Sequence, residues 1–118
     1  MGLTTLFSVT SFSAIALLSG CSASVEQLAQ QGDWYEIGYQ DGVRGNSQRT
    51  LKELSSLGVV KQHDYDQGYG EGVQEYCNPN FAYQIGLSGQ YYQGACEGTE
   101  FAQQFRMEWK RGWDEYNN

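Results

Sequence analysis

Basic residues are scarce in this sequence of 118 residues. Lys and Arg together number 7, against 14 Asp and Glu, so the formal net charge is −7. Nucleic-acid backbones and anionic lipid surfaces attract basic patches on proteins. The composition therefore argues against nucleic acid as a partner.

Histidine is almost absent, and no pair of cysteines has metal-binding spacing. A zinc site built from His63, the only histidine, with Cys77 and Cys96 would lack a fourth ligand. A Gly-x-Gly-x-Gly series at residues 68–72 lacks the order of a dinucleotide-binding loop and a preceding hydrophobic strand. We therefore predict no metal site, no cofactor and no catalytic residues.

Acidic side chains are the one group that could supply catalysis. Two of them would form a glycosidase-like pair only if the fold brought them into one cleft. A solvated helix face is the simpler interpretation, so we expect no enzyme and keep a carboxylate hydrolase as the last alternative. The carboxylates concerned are Asp33, Glu36, Asp41 and Glu71.

No apolar run is long enough to predict a transmembrane helix. Residues 1–20 carry no charge, and their most apolar part, residues 15–18, is too short to span a bilayer. The run ends in Leu18-Ser19-Gly20-Cys21, which is typical of a bacterial lipoprotein signal: small residues precede the cysteine that receives the lipid. We predict a signal peptide over residues 1–20, although it lacks the usual Lys or Arg, and lipidation of Cys21, palmitate included.

Lipidation of Cys21 would hold the chain at a membrane. Gram-negative sorting commonly retains lipoproteins with Asp after the lipidated cysteine in the inner membrane, and here Ser22 follows it. The prediction is therefore the periplasmic face of the outer membrane. Residues 21–31 are predicted to form a lipidated polar tether, and residues 32–118 a single globular domain.

Cys77 and Cys96 remain once Cys21 is lipidated. An even pair in an oxidising compartment predicts a disulfide, which would close a loop of about 20 residues and stabilise the domain by roughly 3 kcal/mol. A catalytic thiol is the alternative, although neither residue belongs to a Cys-x-x-Cys motif.

One motif recurs along the chain: an aromatic residue, two variable residues, a glycine and a second large hydrophobic residue. On an α-helix these positions share one face. Glycine in a helix costs about 1 kcal/mol relative to alanine, so its repetition predicts the close approach of a ring or a second backbone. A tyrosine-lined binding groove is an alternative, and a membrane glycine zipper is disfavoured by acidic neighbours. The residues predicted to pack in this way are Tyr35, Gly38, Gly42, Tyr65, Gly68, Gly72, Tyr83, Gly86, Trp109 and Gly112.

Helices are predicted from caps and apolar spacing. The first runs to Val43 with Gly45 beyond its end, the second stops at Gly58, and a central one ends at Asn78-Pro79-Asn80 because proline interrupts a helix. The last helix extends to Tyr116. The predicted caps are Asp33, Asn46 or Ser47, Asp64 and Thr99.

Residues 81–96 fit two structures. Tyr83, Gly86 and Leu87 continue the motif, whereas Gly89 and the following tyrosine pair break the helical spacing, so a helix and a short β-hairpin both fit. The predicted fold class is a small, mainly α domain with one disulfide.

Three segments of the sequence carry a resemblance. They are Asp33-Trp34-Tyr35-x-x-Gly38-x-x-Asp41, then Tyr65-x-x-Gly68-Tyr69-x-x-Gly72 with Cys77, and Phe81-x-Tyr83-x-x-Gly86-Leu87-Ser88-Gly89 with Cys96. Through them the chain resembles the small YfiL-like lipoproteins of Gram-negative bacteria, domain-of-unknown-function family 2799. The resemblance implies a lipid-anchored periplasmic protein with Cys77 and Cys96 paired. It implies no activity, since the family has none assigned.

These observations predict an envelope lipoprotein that acts as a non-enzymatic accessory or interaction module. The alternative is a peptidoglycan- or peptide-binding module that uses exposed Tyr and Trp. The expected partners are the membrane, through the N-terminal lipid, and an envelope protein or peptidoglycan.

Overall fold

The computed structural model describes residue 2 and residues 23–118, so Cys21, Ser22 and the predicted signal peptide apart from Gly2 lie outside the described residues. The described chain is helical and contains no strand. Within it, no helix combines the length and the apolar character that crossing a bilayer requires. Its helices are α1 (Val25–Gln30), α2 (Trp34–Val43), α3 (Leu51–Ser55), α4 (Gln62–Tyr76), α5 (Pro79–Leu87) and α6 (Ala102–Tyr116).

Helices α2 and α4 pack backbone to backbone along a seam of glycines. A Cβ atom added to Gly38 would lie 2.8 Å from the amide nitrogen of Tyr69, and one added to Gly42 would lie 2.7 Å from that of Val73. Both distances are too short for a real contact, so no side chain fits between the helices. Successive glycines of α2 meet successive turns of α4, and the two helices therefore run parallel.

Helices α5 and α6 form a second pair with the same kind of seam. A Cβ atom on Gly86 would lie 2.7 Å from the amide nitrogen of Trp113, and one on Gly112 would lie 2.7 Å from that of Leu87. Each of the four copies of the motif thus places its glycine against the backbone of another copy.

The contacts of the first pair recur in the second, position by position. A tyrosine donates to a glutamate across each seam, and a positive-φ glycine after the first helix covers a tyrosine ring from the second. A side chain from the second helix also donates, over 2.9 Å in both pairs, to a backbone carbonyl just after the first. The described domain is therefore two copies of one helix-pair unit. The corresponding residues are Tyr39 and Tyr83, Gly42 and Gly86, Gly45 and Gly89, Asn46 and Gln90, Tyr69 and Trp109, Gly72 and Gly112, Glu75 and Glu115, and Tyr76 and Tyr116.

The described chain has two apolar clusters. In the first unit, α1 and α3 supply Leu28 and Leu54, which close over α2 and α4. The second cluster lies between the units and includes the disulfide. The buried members of the first are Leu28, Trp34, Ile37, Leu54 and Tyr65, and those of the second are Val73, Tyr76, Cys77, Ala82, Tyr92, Cys96 and Phe105.

The predicted disulfide between Cys77 and Cys96 is confirmed, with Cα atoms 5.5 Å apart. It joins the end of α4 to the loop before α6. Hydrogen bonds from Ser47 to Gln93 and from Gln90 to the carbonyl of Arg44 connect the two units further.

The cap of α2 is as predicted, since Asp33 accepts the amide hydrogen of Glu36 and Gly45 follows the helix with φ 71°. The other predicted caps are wrong. Helix α3 is capped by Thr50, and α4 begins after Lys61, which leaves Asp64 in the first turn. There a carboxylate still favours the positive end of the helix dipole.

The end of the chain differs from the prediction in the same way. Helix α6 begins after Phe101, and the hydroxyl of the predicted cap Thr99 donates instead to the carbonyl of Cys96.

Pro79 occupies the first turn of α5, where its missing N–H is not needed.

Two further predictions need correction. The predicted polar tether contains α1, whose Ser24 forms a capping box with Gln27 and whose Leu28 is buried. The β-hairpin considered for residues 81–96 is absent, because α5 continues to Leu87 and the remainder is a loop ordered by the disulfide.

Candidate functional site

Four aromatic side chains lie side by side along the outer surface of α6 and form what we call the aromatic shelf. Its members are Tyr91, Trp109, Trp113 and Tyr116. The rings of Trp109 and Trp113 stack with centroids 5.3 Å apart, and Tyr91 meets both indoles edge-on at 6.3 and 6.2 Å. Tyr91 is 68% exposed although these contacts hold it. The shelf therefore offers ordered aromatic surface to solvent.

The orientation of Trp109 follows from the repeat. Its indole N–H donates to the carbonyl of Gln90 over 2.9 Å. This hydrogen bond corresponds to the one that the Tyr69 hydroxyl donates to the carbonyl of Asn46 in the first unit. Because the indole nitrogen is already satisfied, the accessible part of Trp109 is its apolar ring.

A cavity of about 290 Å³ adjoins the shelf at Trp109. Arg106, Met107 and Lys110 of α6 line it, together with Tyr92 from the preceding loop. Its surface is mainly apolar, and the charged groups in the lining are both cations. Arg106 pairs with Glu97, and Lys110 pairs with Asp114 over 2.8 Å.

A larger cavity of about 430 Å³ lies at the end of α4 beside the disulfide. It is lined by Gln74, Cys77, Thr99, Glu100 and Phe101. The sulfur of Cys77 is bonded to Cys96, so this cavity offers a partner apolar contact and no thiol.

Tyrosine–glutamate pairs cross both seams on the solvent side. Tyr35 donates to Glu71, Tyr39 to Glu75 over 2.6 Å, and Tyr83 to Glu115. The hydrogen bond to Glu71 raises the pKa of Tyr35 to about 12, and the corresponding bonds raise the pKa of Tyr39 and of Tyr83. These tyrosines hold the helices together and are not bases.

Asp41 is 3% exposed and belongs to the interior of the first unit. Its carboxylate accepts hydrogen bonds from the Tyr65 hydroxyl over 2.9 Å and from Arg49 Nε over 2.8 Å. Burial raises the pKa of Tyr65, and the bond to Asp41 raises that of Arg49. The network fastens the loop after α2 to both helices, and an ion-paired carboxylate of this kind is structural.

The other carboxylates singled out in the sequence lie in separate settings. Asp33 caps α2, Glu36 accepts a long bond from Gln40 in the same helix, and Glu71 is held by Tyr35. The structure does not gather them into one cleft. Among the described residues no group of His, Cys, Asp and Glu is arranged to hold a metal ion.

The motif residues predicted to pack lie at the two seams. Gly38 and Gly42 meet the α4 turns that contain Tyr65, Gly68 and Gly72, and Gly86 meets the α6 turn that contains Trp109 and Gly112. The shelf was not predicted as a unit. The motif spacing placed Trp109 and Trp113 on one helix face, and the tyrosine pair at residues 91–92 was a second signal because it breaks that spacing; Tyr92 is buried and Tyr91 is exposed.

The basic residues of α6 form surface ion pairs with nearby acidic residues. Arg111 pairs with Glu108, and its guanidinium also lies 4.0 Å over the ring of Tyr83. The sequence did not indicate that Arg106 and Lys110 border a cavity, because Tyr92 completes that cavity from a loop.

Comparison with known proteins gives one family. A family model described as "Protein of unknown function (DUF2799)" matches residues 33–114. The uncharacterized protein YfiL of Escherichia coli (strain K12) is 32% identical over 102 residues, which cover 84% of this chain and 84% of the relative. No solved structure matches the chain.

Proposed function

Because the chain belongs to the DUF2799 family, whose function is unknown, we propose a role from its own residues: a lipid-anchored, non-enzymatic interaction module on the periplasmic face of the outer membrane. The observation that supports lipid anchoring is the sequence Leu18-Ser19-Gly20-Cys21. Ser22 after the cysteine supports the outer membrane as the destination.

Helix α1 limits the distance between the domain and a lipid anchor at Cys21. It begins at Val25, so the chain between a lipidated Cys21 and the first helix would extend at most roughly 15 Å. Leu28 then fixes α1 to the rest of the first unit. An anchored domain would therefore lie close to the lipid headgroups, with little of the reach that a longer tether would give.

The settings of Asp41 and Cys77 support the non-enzymatic part of the proposal. The buried carboxylate of Asp41 is neutralised by Arg49, and Cys77 is held in the disulfide. Catalytic acids and nucleophiles need a free, tuned group in a cleft. Asp41 and Cys77 instead stabilise the fold, one through its ion pair and the other through the disulfide.

Fractionation of cell envelopes tests the anchor. The unaltered chain should be recovered with the outer membrane, and Cys21→Ala should be released from it. Ser22→Asp is the matched control, since it keeps the lipid and should move the protein to the inner membrane. Retention of Cys21→Ala in the outer membrane would exclude lipidation as the anchor.

Glycan or peptide binding is the second candidate function. The aromatic shelf favours it, because Tyr91 is largely exposed and yet fixed against two indoles. Ordered aromatic surface is common where proteins bind ligands.

A further inference from the structure

We propose that the aromatic shelf and the adjoining cavity bind a glycan strand whose sugars carry carboxylates. This inference deepens the second candidate function and depends on it for the location of the ligand. Trp109 belongs to both parts of the site, since it stacks on Trp113 in the shelf and lines the cavity. The two parts are therefore continuous.

The shelf suits the faces of sugar rings. The C–H bonds on one face of a pyranose carry partial positive charge, and the face of an indole or phenol ring is negative. Tyr91, Trp109 and Trp113 are fixed by one another and by the bond from Trp109 to Gln90, so little side-chain freedom is lost when a sugar stacks on them.

The cavity suits a negative charge beside those rings. The chain as a whole carries −7, yet the charged residues in this lining are Arg106 and Lys110. Their ion pairs are on the surface, with side chains 45% and 67% exposed, and surface pairs of this kind are weak. A ligand carboxylate can therefore take the place of Glu97 or Asp114 at small cost.

The shape of the site favours a glycan over a peptide. A peptide anchor is bound in an enclosed, desolvated pocket, whereas this cavity of about 290 Å³ opens along exposed Met107 and Lys110. If Cys21 places the protein in the periplasm, the acidic glycan within reach is the peptidoglycan strand from which the stem peptides have been cleaved, because only then is the lactyl carboxylate of its muramic acid residues free.

Titration calorimetry on the full chain, purified in detergent, tests the proposal. The probe is a peptide-free tetramer of alternating N-acetylglucosamine and N-acetylmuramic acid. We expect Tyr91→Ala to weaken its binding about three- to tenfold, from loss of an aromatic contact. Lys110→Gln should weaken it about two- to fivefold, from loss of an exposed charge pair, and should leave the affinity for a neutral N-acetylglucosamine tetramer unchanged.

Two matched variants serve as controls. Phe101→Ala removes an exposed ring that lines the other cavity, and Lys52→Gln removes an exposed charge on α3. Both should bind the probe as the unaltered chain does.

Three results would overturn the proposal: no binding of the muramic acid tetramer, equal loss in the control variants, or tighter binding of an acidic peptide. Tighter binding of a galacturonic acid tetramer would keep the acidic glycan and reject peptidoglycan as its source. Calorimetry on the purified chain tests ligand binding alone, and envelope fractionation tests the lipid anchor. Failure of one proposal can therefore be distinguished from failure of the other.

Discussion

Single tyrosine side chains lie at the helix contacts of this domain, and the ionisation of their hydroxyls connects its stability to pH. Tyr35 bonds to Glu71, and Tyr76 is buried in the cluster between the units, so each has its pKa raised to about 12 from the ordinary value of 10.0. Tyr39 and Tyr83 are shifted in the same direction. In each case the folded chain holds the proton more tightly than the unfolded chain.

The sign of the pH dependence follows from these shifts. The stabilisation is fully present below pH 10, where both states are protonated, and it is lost as the pH rises toward about 12. We expect the thermal midpoint, followed by circular dichroism, to be level up to pH 10 and to fall steeply above it. The double variant Tyr35→Phe/Tyr76→Phe should show a shallower fall. A midpoint that stays level to pH 12 would contradict this account.

At the scale of the helices, the seams decide which residues can be changed. Gly68 and Gly70 occupy the same helix, yet a Cβ atom on Gly68 would lie 2.8 Å from the carbonyl carbon of Tyr35, whereas one on Gly70 would have nothing within 4 Å. We expect Gly68→Ala to destabilise the domain by about 1–3 kcal/mol through overpacking.

Gly70→Ala is the matched variant and should stabilise the domain by about 0.5–1 kcal/mol, because alanine favours the helix and nothing obstructs it. Urea denaturation of the two variants measures both effects. Equal free energies of unfolding would mean that the helices separate enough to admit a side chain at the seam.

Some of these helices could be predicted from sequence, and others could not. Asp33 before an aromatic and glycine periodicity predicted α2 correctly, because cap and spacing agree there. Helix α4 begins without a side-chain cap, at the point where the chain leaves the first cluster after Val60, and local rules do not contain that information. Helix α1 has only six residues, and its role is revealed by tertiary contacts: Leu28 is buried, and Val25 and Ala29 pack against the first cluster.

The candidate site was less predictable than the fold. The sequence indicates aromatic residues on α6, since Trp109 and Trp113 share the spacing of the motif. It does not indicate that Tyr91 stands beside them, because the loop that carries Tyr91 takes its path from the disulfide and from the bond between Trp109 and Gln90.

At the scale of the whole molecule, the disulfide couples the two units. Cys77 ends the second helix of the first unit, and Cys96 precedes the second helix of the second. The double variant Cys77→Ala/Cys96→Ala should unfold with a free energy lower by about 3 kcal/mol in the chain-entropy account. Chemical denaturation measures it, and reductant should have no further effect on the variant. An unchanged free energy would mean that the noncovalent contacts alone hold the units together.

The duplicated seams also create a problem of partner choice during folding. Four helices with nearly the same glycine face could pair wrongly, α2 with α6 or α5 with α4. The buried Asp41 separates these alternatives. Its partner Tyr65 corresponds to Phe105 in α6, and Asp41 itself corresponds to Ile85 in α5.

A wrong pair of α2 with α6 would therefore set a buried carboxylate against a phenyl ring, and α5 with α4 would leave the Tyr65 hydroxyl facing isoleucine. Each mismatch removes the buried hydrogen bond between Asp41 and Tyr65 and sets a polar group against an apolar side chain, which is costly. The hydrogen bond between Asp41 and Tyr65 thus gives the pairing its specificity, because only α2 with α4 can form it.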